Sequence, residues 1–241
     1  MKKINIIIFL MPLFVYAQTS SRSDDKYTYK NIGGEEGLIQ NNKKVGLWKS
    51  YKNDTLYDVN YYYNDKIKFI FDKNDFILKE KKELLNETFK VSIPKYWKQI
   101  KGKGNLLFSV KKINEDLKFQ QTFSFTKIKI DSAYNFVENI KVMSSYFSKQ
   151  KKEFKLIQKR FIEPKIKNYK SAKIVFSFEE KDDLYGTILL ICKMDDFLIV
   201  LTGTALLDNN EFIKNKCVSE EVFSTLRVND QYIFDKLNVF Y

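Results

Sequence analysis

The chain has 241 residues, a formal charge of +12 and no histidine. The missing imidazole excludes Ser-His-Asp and Cys-His catalysis, His-ligated zinc and haem held by an axial His. Almost all the positive charge is Lys, with Arg only at Arg22, Arg160 and Arg227, so it suits acidic partners better than specific nucleic-acid readout, which favours the bidentate fork of Arg.

Lys2 and Lys3 precede an apolar run from Ile4 to Ala17, the layout of a signal peptide at residues 1–17, cleaved before Gln18. The run is too short to span hydrocarbon comfortably, so no stable transmembrane anchor is expected. The mature chain is expected in the periplasm or outside the cell. Residues 18–30 are polar and read as a flexible leader.

Residues 31–80 read as an antiparallel hairpin ribbon. Along 46–51, Leu47, Lys49 and Tyr51 alternate with Trp48 and Ser50, so the two sets face opposite sides. Turns at 52–55, 64–65 and 72–75 separate strands at 56–63, 66–71 and 76–78. Such a ribbon buries little alone and needs an adjoining partner.

The charged run 79–83 marks a boundary, and a second domain spans 84–230. Residues 89–93 alternate as a half-buried strand, Pro94 stops it, and a short turn leads to Trp97. Strands follow at 106–111 and 117–130. Asp131 or Ser132 is expected to cap a helix whose inner stripe is Ala133, Phe136, Val137, Ile140, Met143, Ser144 and Phe147. Strands at 154–161 and 172–178 precede the clearest hairpin, 184–194 and 197–206, turning at Asp195-Asp196. Its unbroken apolar character places it centrally, with cover on both faces. The end reads as two helical pieces, one with Phe212, Ile213 and Lys216, the next capped by Ser219 and carrying Val222, Phe223 and Leu226. The fold class is α+β, an antiparallel sheet flanked by helices and preceded by the ribbon.

Two resemblances overlie this reading. The phrase Phe89-Lys-Val-Ser-Ile-Pro-Lys-Tyr-Trp97, the helix from Asp131, the strand end Leu198-Ile-Val-Leu-Thr-Gly-Thr-Ala205 and Phe223-Ser-Thr-Leu226 together resemble the PsbP/MOG1-like fold of small exported bacterial proteins. That resemblance implies a binding, assembly or accessory role and supplies no shared catalytic set. Gly46-Leu-Trp-Lys-Ser-Tyr51 and Tyr61-Tyr-Tyr-Asn-Asp65 weakly resemble divergent MORN-type hairpin repeats, although the Gly expected near Asp65 is missing.

The candidate partner-binding residues are aromatic: Trp48, Tyr51, Tyr61, Tyr62 and Tyr63 on the ribbon, and Trp97 in the second domain, since aromatics dominate contact hot spots. For each the alternative is sheet packing or, for Trp97, a core lid. Cys192 and Cys217 are the only cysteines. Export would allow them a disulfide, and two buried free thiols are the other reading. No calcium-loop spacing, phosphate loop or other cofactor or metal motif is present. The expected function is a non-enzymatic binding or accessory protein of the bacterial envelope, its partner another protein of acidic character. The alternatives are an immunity or inhibitor protein against a secreted toxin and a carboxylate-dependent hydrolase.

Overall fold

The structure, a computed structural model, describes residues 27–81, 89–113, 121–208 and 210–240. The expected signal peptide, the leader up to residue 26, the junction at 82–84 and the start of the 117–130 strand lie outside the described residues.

The ribbon is a five-stranded antiparallel sheet in sequence order: β1 (Thr28–Ile32), β2 (Glu35–Gln40), β3 (Lys43–Lys52), β4 (Thr55–Tyr63) and β5 (Lys66–Ile70). Its hairpins close through the pairs Gly33-Gly34, Asn41-Asn42, Asn53-Asp54 and Asn64-Asp65, every one with positive φ. Gly, Asn and Asp reach that region most readily, and paired left-handed residues match the twist of the flanking strands. Residues 28–30, expected as leader, are therefore strand.

A 3₁₀ turn, Lys73–Phe76, leads to β6 (Leu78–Lys81). This strand leaves the ribbon and pairs with β7 (Phe89–Pro94). Two short strands near the end, β15 (Arg227–Val228) and β16 (Gln231–Tyr232), complete a four-stranded sheet in the order β16-β15-β7-β6.

The main sheet has seven antiparallel strands: β8 (Lys98–Lys101), β9 (Leu106–Lys111), β10 (Thr122–Lys129), β11 (Lys152–Ile162), β12 (Lys170–Glu180), β13 (Asp183–Met194) and β14 (Phe197–Leu206). Their order is β11-β12-β13-β14-β10-β9-β8. The hairpin β13–β14 is central, as its apolar run implied. Ile188, Leu190 and Cys192 enter one core cluster and Leu189 and Ile191 the other.

Helix α1 (Phe136–Gln150) covers one face. Phe136, Ile140, Met143 and Phe147 meet Ala172, Ile174, Phe176 and Leu189. The helix starts later than the sequence suggested. The Asn135 side chain accepts from the Glu138 N–H at 3.2 Å, whereas Asp131 accepts from the Ala133 N–H at 3.0 Å and closes the preceding turn.

Helix α2 (Glu211–Ser224) lies on the opposite face and is continuous. The expected break at Ser219 does not occur, because Ser219 is buried against the sheet instead of capping a helix end. A Cβ at Gly203 would stand 2.3 Å from the Ser219 Oγ, and one at Gly186 would stand 2.4 Å from the Phe212 ring. These two glycines let the helix lie close on the central strands. The ribbon packs on the other side of α2, so Cys217 through Ser224 are all buried. The short helix α3 (Lys236–Phe240) wedges beside this junction, with Phe240 stacked on Tyr29 at 6.4 Å. Among the described residues no helix is long and apolar enough to cross a membrane.

Candidate functional site: the two faces of the ribbon

The ribbon's inner face is committed to the rest of the molecule. Leu47, Val59 and Tyr61 pack into the core cluster that holds Cys217 and Val222. Lys49, on the same side of β3, places its Nζ 2.6 Å from Glu36 and 2.7 Å from Glu221. Lys236 of α3 approaches Glu36 at 3.1 Å, and the Tyr51 O–H donates to Glu36 at 2.8 Å. Burial favours the neutral form of both Lys49 and Glu36, but the opposite charges outweigh it. Lys49 is held well above the ordinary lysine value, and Lys49 and Lys236 bring Glu36 down to about 2. Burial pushes the phenols of Tyr51 and Tyr61 up to about 12.

Successive helical residues diverge by about 100°, so Glu220 and Glu221 reach different layers. Glu221 serves the ribbon. Glu220 turns to the large sheet, where Lys173 of β12 donates to it at 2.8 Å, and Lys216 pairs with it at 2.8 Å. Burial alone would raise the Glu220 carboxyl, yet the two ammonium groups hold it below its ordinary value. Burial pulls Lys173 down to about 7 against the attraction of Glu220. Lys173 also donates to the Val239 carbonyl at 2.9 Å, and Arg160 donates to the Asn238 and Val239 carbonyls at 2.8 and 3.1 Å. The chain end is thereby pinned to the sheet.

A cavity of about 50 Å³ lies in this seam, lined by Lys49, Tyr61, Lys216, Cys217, Glu220 and Glu221 among others. The Glu221 Oε2 has no hydrogen-bond partner among the described residues. A space of this size accommodates a water or two and falls well short of a small-molecule site. Its acids are neutralised by lysines, so the arrangement is one of docking. Among the described residues no group of three or more metal-ligating side chains is gathered.

The outer face is different. The Trp48 ring lies flat on Gly37, where a Cβ would come within 2.5 Å of it, and its Nε1–H donates to the Leu38 carbonyl at 2.9 Å. The Lys44 ammonium sits 4.5 Å from the Trp48 ring centre and 5.2 Å from that of Tyr62, and it pairs with Glu35 at 2.7 Å. Ile67 lies across the strand pair from Tyr62 and Ile70 from Asn60. The two isoleucines are 50% and 65% exposed, an apolar flank with no cover among the described residues.

The aromatic row expected from sequence therefore divides. Trp48 and Tyr62 belong to the outer face, with Trp48 itself buried beneath Lys44 and Tyr62. Tyr61 turns inward against the core, and Tyr51 lies at the rim of the inner face, 37% exposed with its O–H on Glu36. Tyr63 is partly exposed at the end of β4, with the Lys68 ammonium 5.6 Å from its ring. Trp97 is a core lid: it is buried, 5.4 Å from the Phe123 ring, and its Nε1–H donates to Asp75 at 2.8 Å. Burial raises the Asp75 carboxyl, while Lys112, 2.6 Å away, and Trp97 pull it back part of the way. Sequence reasoning missed Ile67, Ile70 and the whole acid–lysine seam. The one available signal was Lys49, which shares its side of β3 with Leu47 and Tyr51.

Of the two readings left open for the cysteines, the structure has the free thiols: Cys192 and Cys217 are both buried and unbridged. Ser219 crosses the sheet over Gly203 and Ile188. Cys192 lies four residues farther along β13, about 13 Å at the usual strand rise. Cys217 faces the ribbon cavity. Burial pushes the Cys192 thiol far above its ordinary value and Cys217 up to about 12.

No family model matches the chain, and none of the curated proteins does. Among solved structures it is similar to the cyanobacterial PsbP of Synechocystis sp. PCC 6803, at 13% identity over 63% of this chain and 92% of that one, TM-score 0.49. It is also similar to LpqN of Mycobacterium tuberculosis, a protein described as involved in cell envelope biogenesis, at 9% identity over 63% of this chain and 91% of that one, TM-score 0.49. A third neighbour, PA94 of Pseudomonas aeruginosa, is of unknown function and matches at 13% identity over 55% of this chain and 85% of that one, TM-score 0.40. Likeness at this level carries no functional argument, so the reading of function rests on the chain's own residues.

Proposed function

We propose that this is an exported, non-enzymatic binding or accessory protein of the bacterial cell envelope, and that its protein partner seats on the outer face of the ribbon. The observation that carries the reading is the contrast between the ribbon's faces. The inner face is consumed by Lys49, Glu36 and the core, while the outer face presents Ile67 and Ile70 with nothing over them among the described residues, beside a half-buried Tyr62 under Lys44. Exposed apolar and aromatic groups bordered by charge are the composition of a contact patch. Lys44 lies against Tyr62, and Lys66 and Lys68 flank Ile67 in the chain, which suits a partner with an apolar centre and an acidic rim. Export follows from the Lys2-Lys3 start and the apolar run to Ala17.

The test is crosslinked capture from host envelope extract with three proteins: the wild type, a Tyr62→Ala/Ile70→Ser pair, and a Tyr146→Ala control on the exposed side of α1. Trp48 is left intact because it supports the sheet. The expected result is one partner held by the wild type and the control and lost by the outer-face pair. A partner kept by the folded outer-face pair removes the proposed site, and turnover of an envelope substrate by the purified protein removes the non-enzymatic reading.

A further inference from the structure

Between Lys95 and Ile113 the chain carries six lysines and no acidic residue. This stretch contains β8 and β9, the outermost two strands at one edge of the large sheet. Lys112 is neutralised by Asp75. Lys98, Lys101, Lys103 and Lys111 make no ion pair among the described residues. Lys98 moreover stands directly across the strand pair from Lys111, an arrangement of like charges that is destabilising unless an anion lies against it.

The opposite edge of the same sheet shows that this is more than ordinary edge protection. Charged edge strands keep sheets from pairing with one another, and β11 is lysine-rich too. Yet there Lys152 pairs with Glu179, Lys151 just before the strand pairs with Glu180, and Lys159 donates to the Lys141 carbonyl at 3.0 Å. Among the described residues the β8 edge has no such internal neutralisation beyond Lys112, and it adds exposed apolar groups: Tyr96 at 59%, Ile100 at 44% and Ile113 at 54%.

We propose that the β8–β9 edge is a membrane-surface site that docks the protein on anionic phospholipid headgroups, with Tyr96, Ile100 and Ile113 entering the interface. Lys is a compact point charge on a long apolar stem, which follows a diffuse anionic surface and can extend toward headgroups. A shaped site for one carboxylate or phosphate would favour Arg, and no Arg occurs between Arg22 and Arg160. The interleaved Tyr and Ile residues distinguish a lipid surface from a soluble polyanion, because interfacial binding combines buried apolar area with attraction to anionic lipid. This site is separate from the ribbon face and stands or falls independently of it.

The experiment is co-sedimentation of the full chain with vesicles of phosphatidylcholine alone and with one part phosphatidylglycerol to three parts phosphatidylcholine. Residues 1–26 are common to every protein tested, so comparison of the variants with the wild type on the anionic vesicles cancels their contribution. Excess binding to the anionic vesicles is expected for the wild type. It should fall about 100-fold in a Lys98→Gln/Lys101→Gln/Lys111→Gln variant, since each lysine contributes about fivefold at such a surface. A Tyr96→Ser/Ile100→Ser variant should also lose vesicle binding while keeping any affinity for heparin. Hydrogen exchange on the wild type supplies a readout that needs no variant: amides of 95–101 and 106–111 should slow on anionic vesicles. No excess on anionic vesicles, an undiminished lysine variant, or unaltered exchange at this edge overturns the proposal. Full vesicle binding by the Tyr96→Ser/Ile100→Ser variant assigns the edge to a soluble acidic polymer and overturns it equally.

Discussion

Helices α1 and α2 cover opposite faces of one sheet by different means. Under α1 the buried contact is apolar, from Phe136 and Ile140 to Phe147 stacked on Phe176 at 5.0 Å, and only at the exposed β11 edge does Lys159 donate to the Lys141 carbonyl. Its outer side is exposed, with Val142 and Tyr146 more than half accessible. Helix α2 is enclosed on both sides, by the sheet and by the ribbon, yet it carries Glu220 and Glu221 at the centre of its buried length. A helix buried all round is ordinarily apolar all round. Here the acids are accommodated because each neighbouring layer brings a lysine: Lys173 from the sheet, Lys49 from the ribbon and Lys216 from the helix itself. The first contact is non-directional and tolerant. The second fixes which layer meets which, because displacing the ribbon would part Glu221 from Lys49 and Lys236 from Glu36. Ion pairs of this kind add little net stability over apolar replacements, whereas removing one partner is costly.

The sharpest way to break the contrast is at Glu220. Glu220→Gln leaves Lys173 and Lys216 without their shared carboxylate and should cost about 3–5 kcal/mol, read as a lowered urea midpoint with unchanged slope. Replacing Glu220, Lys173 and Lys216 together by Met should recover most of that loss, since no buried charge is then left alone. A single variant as stable as the wild type would show that the charges are not enclosed as described.

The second test uses acid. Glu36 is held at about 2 against an ordinary 4.5. A carboxyl lowered on folding contributes stability above its unfolded value, and that stability is lost as pH falls through the folded one. The shift corresponds to about 3 kcal/mol, to be lost between about pH 5 and pH 2, and Glu220 acts in the same direction. Glu36→Gln should therefore be weaker at neutral pH and converge on the wild type near pH 2. Ile140→Ala, in the apolar layer, should lower stability by about 2–5 kcal/mol and leave the acid limb parallel to that of the wild type. Parallel limbs for both variants would remove the distinction between the two layers.

Legibility in the sequence followed the same division. The helix stripe of α1 and the β13–β14 hairpin were readable because an element with apolar cover shows its period plainly. Trp48 was set apart from Leu47, Lys49 and Tyr51 by period-two alternation. Two things were hidden. Glu220 and Glu221 look like a solvated face, since charge on a helix ordinarily marks exposure, and nothing local reveals that Lys49 and Lys173 come to meet them from far along the chain. Ser219 likewise looked like a helix cap because hydroxyl residues favour that place. Its true setting, opposite Gly203, is a long-range contact. Asn41-Asn42 does carry a local signal, a left-handed pair of the kind that closes the other hairpins.

A third test sharpens the sheet side of α2. Gly203→Ala brings a Cβ to 2.3 Å from the Ser219 Oγ and 3.0 Å from the Ile188 side chain. Overpacking of this kind costs about 1–3 kcal/mol. Adding Ser219→Ala removes the closest atom and should restore part of the loss, leaving a coupling of about 1 kcal/mol in the double-mutant cycle. Independent, additive effects would mean that the helix does not rest on Gly203.

The smallest expected effect is none at all, and it bears on both sides of α2 together. Cys192 faces the helix from the sheet, and Cys217 faces the ribbon from the helix. A bridge between them would close a loop of about 26 residues and stabilise the fold by roughly 3 kcal/mol in the simplest chain-entropy description. For a domain of this size that amounts to several degrees in Tm. With both thiols free, protein purified from the oxidising compartment should melt at the same temperature with and without reductant. Both thiols should also resist alkylation at pH 8 until urea is added, because burial raises each above its ordinary value and the thiolate is the reactive form. Their position supports this more firmly than their chemistry does. Moving Cys217 within reach of Cys192 would slide α2 along the sheet, lifting Ser219 from Gly203 and Phe212 from Gly186, and would take Glu221 away from Lys49. A reductant-dependent Tm would therefore mean that the helix sits in a different register, and the charged seam would have to be redrawn with it.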